Sequence, residues 1–220
     1  MKQITMHLIN RATLQSWERF YRANFVNSLT GFKSVSLIGT ASPEGRTNLG
    51  VFSSIVHIGS DPALVGYINR PRQAAPHTLA NIESTGVYTV NHILPSFLEK
   101  AHQTSAKYPP EISEFEAVGL TPEFEENLPA PFVKESPVKY ALSLEKILPI
   151  ELNGTFLVIG RIELVKLGGA FLGADGFLDL HQAGSVCSTG TDGYYSVQPL
   201  GRYAYARPGQ PVRPLQPTEG

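Results

Sequence analysis

Apolar residues in this chain fall in short runs separated by turn-forming residues, and the period of each run predicts its element. In "VKYALSLEKI", Val138, Tyr140, Leu142 and Leu144 alternate with Lys139, Ser143 and Glu145, the period-2 pattern of a strand with one buried face. "ILPIELNGTFLVIGRIELVKL" places Asn153-Gly154 between two strand-like runs, and both residues tolerate the positive φ of a hairpin turn. "FKSVSLIGTAS", "VFSSIVHIG", "ALVGYIN" and "VYTVNHI" read as further strands, bounded by "SPEGRTN", by glycine and by "SDP". Helical spacing is confined to the start and the middle. Leu14, Trp17 and Tyr21 in "ATLQSWERFYRANFVNSLTG" predict one helix, capped by Thr13 and closed at Gly31. "HTLANIEST" predicts a short helix ended by Gly86, and "PSFLEKAHQTS" puts Phe97, Leu98 and Ala101 on one helical face. "AKYPPEISEFEAVGLTP" reads as a loop with one helical turn, and "EFEENLPAPFVKESP" as a polar, proline-broken segment.

About six or more strands without long alternating helices disfavour a doubly wound parallel sheet. The expected fold is mainly β: a closed or partly closed antiparallel barrel with helical insertions. Residues 1–208 are expected to form one domain, and the Pro-rich stretch 209–220 a loosely draped or disordered tail. Apolar residues make up 42% of the chain, enough for a sizeable core. With 18 basic and 19 acidic residues, the charge balance offers no basic footprint for nucleic acid or an anionic membrane. No apolar stretch approaches the ~20 residues of a membrane span. "MKQITMHLINRATLQ" lacks the apolar core of a signal peptide, so a cytoplasmic location is expected.

Cys187 is the single cysteine, which leaves no disulfide within the chain and no Cys-rich zinc site; it reads as a small, half-buried thiol. The six histidines show no metal-ligand spacing, and no metal is expected. The glycine-rich nucleotide fingerprints, H-E-x-x-H and G-x-S-x-G are all absent. The carboxylate pairs of "EISEFE" and "EFEEN" read as solvated faces.

Two local constellations remain. In "GYINRPRQAAPHTLANI", a strand delivers Arg70, and a proline-stiffened loop delivers His77 and Thr78 where a helix begins. Helix starts carry unpaired N–H groups and partial positive charge, and a guanidinium matches phosphate oxygens, so these residues could form an anion site. A helix-capping Thr78 beside a surface arginine accounts for the same spacing. In "TNLGVFSSIV", Asn48 ends a turn. Leu49, Gly50, Val51 and Phe52 offer a small or apolar surface against which a flat ring could lie, and Gly50 permits close approach. Ser53 and Ser54 place hydroxyls that need partners if buried; an edge-strand role with backbone partners would also satisfy them.

The stretches "SLIGTASPEGRTNLGVFSSIVHIGSDPALVGYINRP" and "HTLANIESTGVYTVNHI", with "SAKYPPEISEFEAVGLTP" and the late "DGYY…RYAYARP", resemble the flavin reductase-like, FMN-binding split-barrel family, flavoredoxin-like members included. The resemblance implies a Greek-key split β-barrel with helical insertions, as a homodimer with FMN near the dimer interface. By position, Asn48, Leu49, Gly50, Val51, Phe52, Ser53 and Ser54 would contact the ring and ribityl chain, and Arg70, His77 and Thr78 the phosphate. Lys33 and Asn91 would add polar contacts, and Ser105 and Tyr108 would come from a covering segment. Where relatives carry Asp-Thr or a similar pair, this chain has His77-Thr78, which ties phosphate binding to a group that titrates near neutrality. The implied activity is hydride transfer from NAD(P)H to flavin, with no catalytic side chain named. The alternative is an FMN-bound electron carrier that reacts poorly with NAD(P)H and serves a redox partner protein. A barrel binding another phosphorylated cofactor or a haem is the third possibility.

Overall fold

The computed structural model describes residues 5–74 and 76–215. The chain opens with two helices where one was expected, α1 (Arg11–Ser16) and α2 (Arg19–Leu29). Asn10, not Thr13, caps α1: its Oδ1 accepts from the Thr13 N–H at 2.9 Å. Glu18 then caps α2 by accepting from the N–H groups of Phe20 and Tyr21. Trp17 and Glu18 are both extended, with ψ 148° and 146°, so no continuous helical register runs between the two.

The strands β1 (Lys33–Ser34), β2 (Ser36–Ala41), β3 (Thr47–Phe52), β4 (Val56–Ser60) and β5 (Ala63–Asn69) follow. The run read as one strand, "VFSSIVHIG", is thus two, broken at residues 53–55. Helix α3 (Pro76–Thr85) connects β5 to β6 (Val87–His92), and Gly86 ends it at φ 72°. A 3₁₀ turn (Pro95–Phe97), α4 (Leu98–Gln103) and α5 (Glu114–Val118) come next, with Phe97 and Ala101 buried as their spacing predicted. The expected polar segment folds instead as a hairpin, β7 (Pro122–Glu125) and β8 (Leu128–Val133). The long pair β9 (Val138–Ile150) and β10 (Thr155–Leu167) is joined by residues 151–154 with Gly154 at φ 72°, the hairpin that Asn-Gly announced. The short strands β11 (Cys187–Thr189) and β12 (Gly193–Tyr195) complete the set, β11 pairing with β1.

Seven strands form one antiparallel sheet in the order β3-β2-β6-β9-β10-β5-β4. Its two edges, β3 and β4, are consecutive in the chain, and residues 53–55 cross between them without a shared ladder. The result is a barrel-like sheet left split along one seam, in keeping with the expected architecture. β2 is buried along its whole length because both of its faces are covered. Leu37 joins a core with Leu49, Ile93, Phe97 and Phe115 under α4 and α5. Ile38 joins a second core with Tyr67, Tyr88, Leu142 and Val158 under α3.

The β7–β8 hairpin explains two further departures. Glu123 and Glu125 of "EFEEN" are not a solvated face: Glu123 pairs with Lys139 and Lys166, and Glu125 with Lys166. Lys139, expected on the exposed face of β9, is 5% exposed and also donates to the Val133 carbonyl. β8 covers that face, so the lysine is buried against an acidic partner. Beyond β12 the chain folds back on itself through bonds between Ala204 and Arg213 and between Leu215 and Arg202; residues 216–220 lie outside the described residues.

His92 at the end of β6 packs against Tyr140 and bonds through Nδ1 to Ser185 Oγ at 3.0 Å. Burial pushes its pKa down to about 4. The unfolded chain, with an ordinary imidazole near 6.5, binds the proton first, so stability falls as pH drops from about 6.5 to about 4, by on the order of 3 kcal/mol. Urea unfolding at pH 7 and pH 4.5 should show this loss, and His92→Gln should remove most of it; an equal loss in the variant would assign the acid sensitivity elsewhere.

Candidate functional site

One cavity of about 530 Å³ sits beside the edge strand β3, at the seam of the sheet. Its size suits one cofactor or a drug-sized ligand. Thirteen of the fourteen residues expected at a ligand site line it: Lys33, Asn48 to Ser54, Arg70, His77, Thr78, Ser105 and Tyr108. Asn91 does not. Its Nδ2 donates to the Leu37 carbonyl at 3.1 Å and to Thr89 Oγ1 at 3.0 Å, and its Oδ1 accepts from the Val133 N–H at 2.8 Å. Fully buried, Asn91 ties β2 and β6 to β8.

The floor of the cavity is β3. Asn48 is 8% exposed and reaches across to α3, where its Nδ2 donates to Thr78 Oγ1 at 3.0 Å. A weaker bond of 3.3 Å runs from the same nitrogen to Thr40 Oγ1, which also accepts from Asn81 at 3.1 Å. Helix α3 is thereby clamped to β2 and β3 by two asparagines. The helix begins at Pro76, so Thr78 stands in its first turn and is not its cap. With Asn48 donating to it, the Thr78 hydroxyl keeps its own proton to give. Gly50 lies under the helix start: a Cβ there would meet the Phe52 ring at 3.1 Å and Thr78 Oγ1 at 3.7 Å. Phe52 in turn stacks edge-to-face on the buried Tyr67, with ring centroids 5.0 Å apart, which stiffens this wall.

The two serines divide the roles weighed for them. Ser54 Oγ donates to the Ile68 carbonyl at 3.0 Å and accepts the Ile68 N–H at 3.1 Å, pinning the crossover to β5. Ser53 lines the cavity. Arg70 leaves the end of β5 exposed at the cavity wall, whereas its neighbour Arg72 is taken up by Glu83 and the Phe156 ring. Lys33 lines the far side, donating to the carbonyls of Asn27 at 3.0 Å and Gly190 at 3.4 Å. The segment after α4 forms a rim with exposed Ser105 and half-buried Tyr108, whose hydroxyl accepts from Gln103.

Sequence reasoning missed four contributors. Lys107 adds a cation to the rim. His102 and Tyr194, paired at 2.8 Å, join α4 to the β11–β12 hairpin. Glu114 of "EISEFE", read as solvated, is 7% exposed and lines the cavity. Its Oε2 accepts the Leu49 N–H at 2.9 Å, beside a 2.6 Å bond between Thr47 and Ser113. Burial pushes the Glu114 carboxyl above its usual range, against the Leu49 bond and the charge of His77, which pull it down. Only the serine and glutamate opening a short helix hint at this in sequence; the edge N–H that needs them is a tertiary fact.

The model of the flavin reductase-like domain matches residues 31–182, more than half of the chain. The chain belongs to the flavin reductase-like family. Among solved structures, this family member is similar to a split-barrel protein from Shewanella frigidimarina NCIMB 400 assigned as a flavin reductase, with 46% identity, 92% of this chain and 100% of that one covered, and a TM-score of 0.88. It shares its fold with nitrilotriacetate monooxygenase component B from Bacillus cereus, at 19% identity, 91% and 100% coverage and a TM-score of 0.80. It does so too with flavoredoxin of Desulfovibrio vulgaris (Miyazaki F), at 23% identity, 81% and 92% coverage and a TM-score of 0.67. No helix among the described residues is long and apolar enough to cross a membrane.

The cavity fits a flavin on its own features. One end offers a helix start, a hydroxyl and a guanidinium for a phosphate, and the floor offers Leu49, Gly50 and Val51 for a flat ring. Asn91, by contrast, belongs to the scaffold. Asn91→Ala should lower stability by roughly 2–3 kcal/mol, because it strands the buried Val133 N–H and Leu37 carbonyl. Chemical denaturation measures that loss, and flavin affinity at low temperature should stay at the wild-type value; a parallel fall in affinity would return Asn91 to the site.

Proposed function

We propose that this chain binds FMN in the β3 cavity and is an NAD(P)H-dependent flavin reductase. The observation that carries the reading is the meeting, in one cavity, of the β3 floor with the start of α3 and Arg70, in a domain of the flavin reductase-like family. Arg70, Thr78 and His77 hold the phosphate, and residues 48 to 54 lie along the ribityl chain and ring. Bound there, the flavin would supply the redox chemistry, accepting hydride from the nicotinamide.

The protein's own task is positional. Asn48 keeps Thr78 at a set height above Gly50, and the packed Phe52–Tyr67 pair holds the wall rigid. A fixed floor of this kind presents the ring for hydride transfer without reorganisation. The cations Lys33, Arg70 and Lys107 give the cavity a positive field that favours negative charge on the reduced flavin. No acid–base side chain is required for the hydride step.

The chain acts as a homodimer in this reading. α2 buries none of its residues and leaves Phe20, Tyr21, Val26 and Leu29 exposed, and Val56 and Ile58 of the edge strand β4 are exposed as well. An 11-residue helix with no fully buried residue, packed against Trp17 through Tyr21 and Phe25, is marginal alone, and a second copy would cover it. Light scattering at micromolar concentration checks this; a monomer overturns it.

Purified protein soaked in FMN should turn yellow and, under argon, bleach on addition of NADH or NADPH faster than free FMN does. Slow bleaching with rapid reduction by a protein donor would move the chain to the electron carriers, and no flavin uptake would refute both. In the same assay Arg70→Ala should weaken FMN binding by about tenfold to a hundredfold, the loss of one charge-assisted contact.

A further inference from the structure

Glu114 is the single carboxylate among the described residues lining the cavity, and it is 7% exposed. Burying a carboxylate is costly unless donors meet its oxygens. One oxygen is met: Oε2 accepts the Leu49 N–H at 2.9 Å. That bond alone does not require a charge, since a neutral glutamine would accept from the same group. A place in the first turn of α5 favours a negative charge, and would favour it at the surface as well.

The other oxygen is open. Among the described residues, no side chain and no backbone group of another residue donates to Glu114 Oε1. Nor is Oε1 sealed inside the protein: among the described residues, the sealed side-chain atoms without a partner are Tyr67 Oη, Asn69 Oδ1, Tyr88 Oη and Ser188 Oγ. A residue this deeply buried that lines the cavity opens its free oxygen into the cavity. An acceptor is therefore presented to the ligand.

Its position says which part of a ligand would meet it. Glu114 is tied to β3 at Leu49, and the residues on either side of Leu49 hold the start of α3. Asn48 donates to Thr78 Oγ1 at 3.0 Å, and a Cβ on Gly50 would lie 3.7 Å from the same oxygen. Successive strand residues are about 3.3 Å apart, so the carboxylate and the Thr78 hydroxyl meet the floor within about one residue of each other. A phosphate held by Thr78 and Arg70 is repelled by a carboxylate in contact with it. The group that meets Oε1 must then be a neutral donor close to the phosphate. In a phosphorylated flavin such donors are the hydroxyls of the ribityl chain; the N–H of the ring lies beyond the chain.

We propose that Glu114 is a ligand-binding residue that accepts a hydrogen bond from a hydroxyl of the ribityl chain, so that the cavity selects a phosphorylated polyol and not a ring or a phosphate alone. The inference rests on the flavin reading given above. It gives α5, which otherwise props the edge of β3, a part in specificity.

The test measures binding of FMN and of its 2′-, 3′- and 4′-deoxy analogues to wild type and to Glu114→Gln by flavin fluorescence quenching. Glu114→Gln keeps an acceptor for the Leu49 N–H and puts an NH₂ group, which cannot accept, in place of the open oxygen. In wild type one analogue should bind about tenfold more weakly than FMN, the loss of one hydrogen bond to a charged group. In the variant the penalty for that analogue should shrink to about threefold or less, the worth of a neutral bond, with the other penalties unchanged. Each penalty is a ratio within one protein, so a general loosening of β3 cancels. Should Glu114→Gln not fold, Glu114→Asp supplies the same comparison, its carboxylate withdrawn by one methylene.

If no analogue binds wild type more weakly than FMN, the inference is overturned before any variant is made. If all three penalties are the same in wild type and variant, the chain is read by other residues and only the role of Glu114 falls. If the wild type takes up no FMN at all, the flavin reading fails and the inference with it.

Discussion

An edge strand turns every second pair of backbone groups away from its own sheet, and β3 is an edge strand. What satisfies those outward groups decides the rest of the site. At Leu49 the partner of the N–H is Glu114 at the start of α5, and beside it the Thr47 and Ser113 hydroxyls bond to each other. The short helix cannot follow the strand further, so from Gly50 onward the edge runs into the cavity. The same strand sends Asn48 to Thr78 and thereby sets the start of α3 over its own floor. Two helices from distant parts of the chain are thus placed by one strand. The cavity is the gap between their points of attachment.

Charge is handled in two ways in this molecule. Between the β7–β8 hairpin and β9–β10, two glutamates and two lysines close on one another over the Phe132 ring, and the cluster locks a covering layer in place. Such pairs contribute little net stability but specify geometry, since removing one partner leaves the other buried. At the cavity the balance is left open. Among the described residues lining it, Lys33, Arg70 and Lys107 share the cavity with the single carboxylate of Glu114, and none of these cations is paired with it.

The site also accords with the economy of the proposed chemistry. Hydride transfer between two bound rings needs a fixed floor, an open face and a favourable field, and no nucleophile or proton shuttle. The side chains here are small or apolar along the floor, polar at one end, and held in place by contacts within the protein: Asn48 to Thr78, Ser54 to Ile68 and Tyr67 to Phe52. A fold of this kind hosts other chemistries, so the functional reading is carried by the cavity and the family, not by the barrel.

Local pattern was enough to determine most of the elements. Alternation in "VKYALSLEKI" and Asn153-Gly154 announced the β9–β10 hairpin, and Gly86 and Gly119 ended their helices at positive φ as such glycines do. The two motifs that line the cavity were legible because each has local chemistry: a helix start after an arginine, and small residues followed by serines. Contacts that join distant segments were not legible. Asn91 looked like a ligand contact and is a bolt between β6 and β8. Lys139 looked exposed until β8 covered it. Glu114 looked solvated until β3 presented an N–H with no strand to receive it. Spacing reports which way a residue faces within its own element. What lies on that side, and so whether a polar group meets water, a partner or a ligand, is decided only when elements far apart in sequence are brought together.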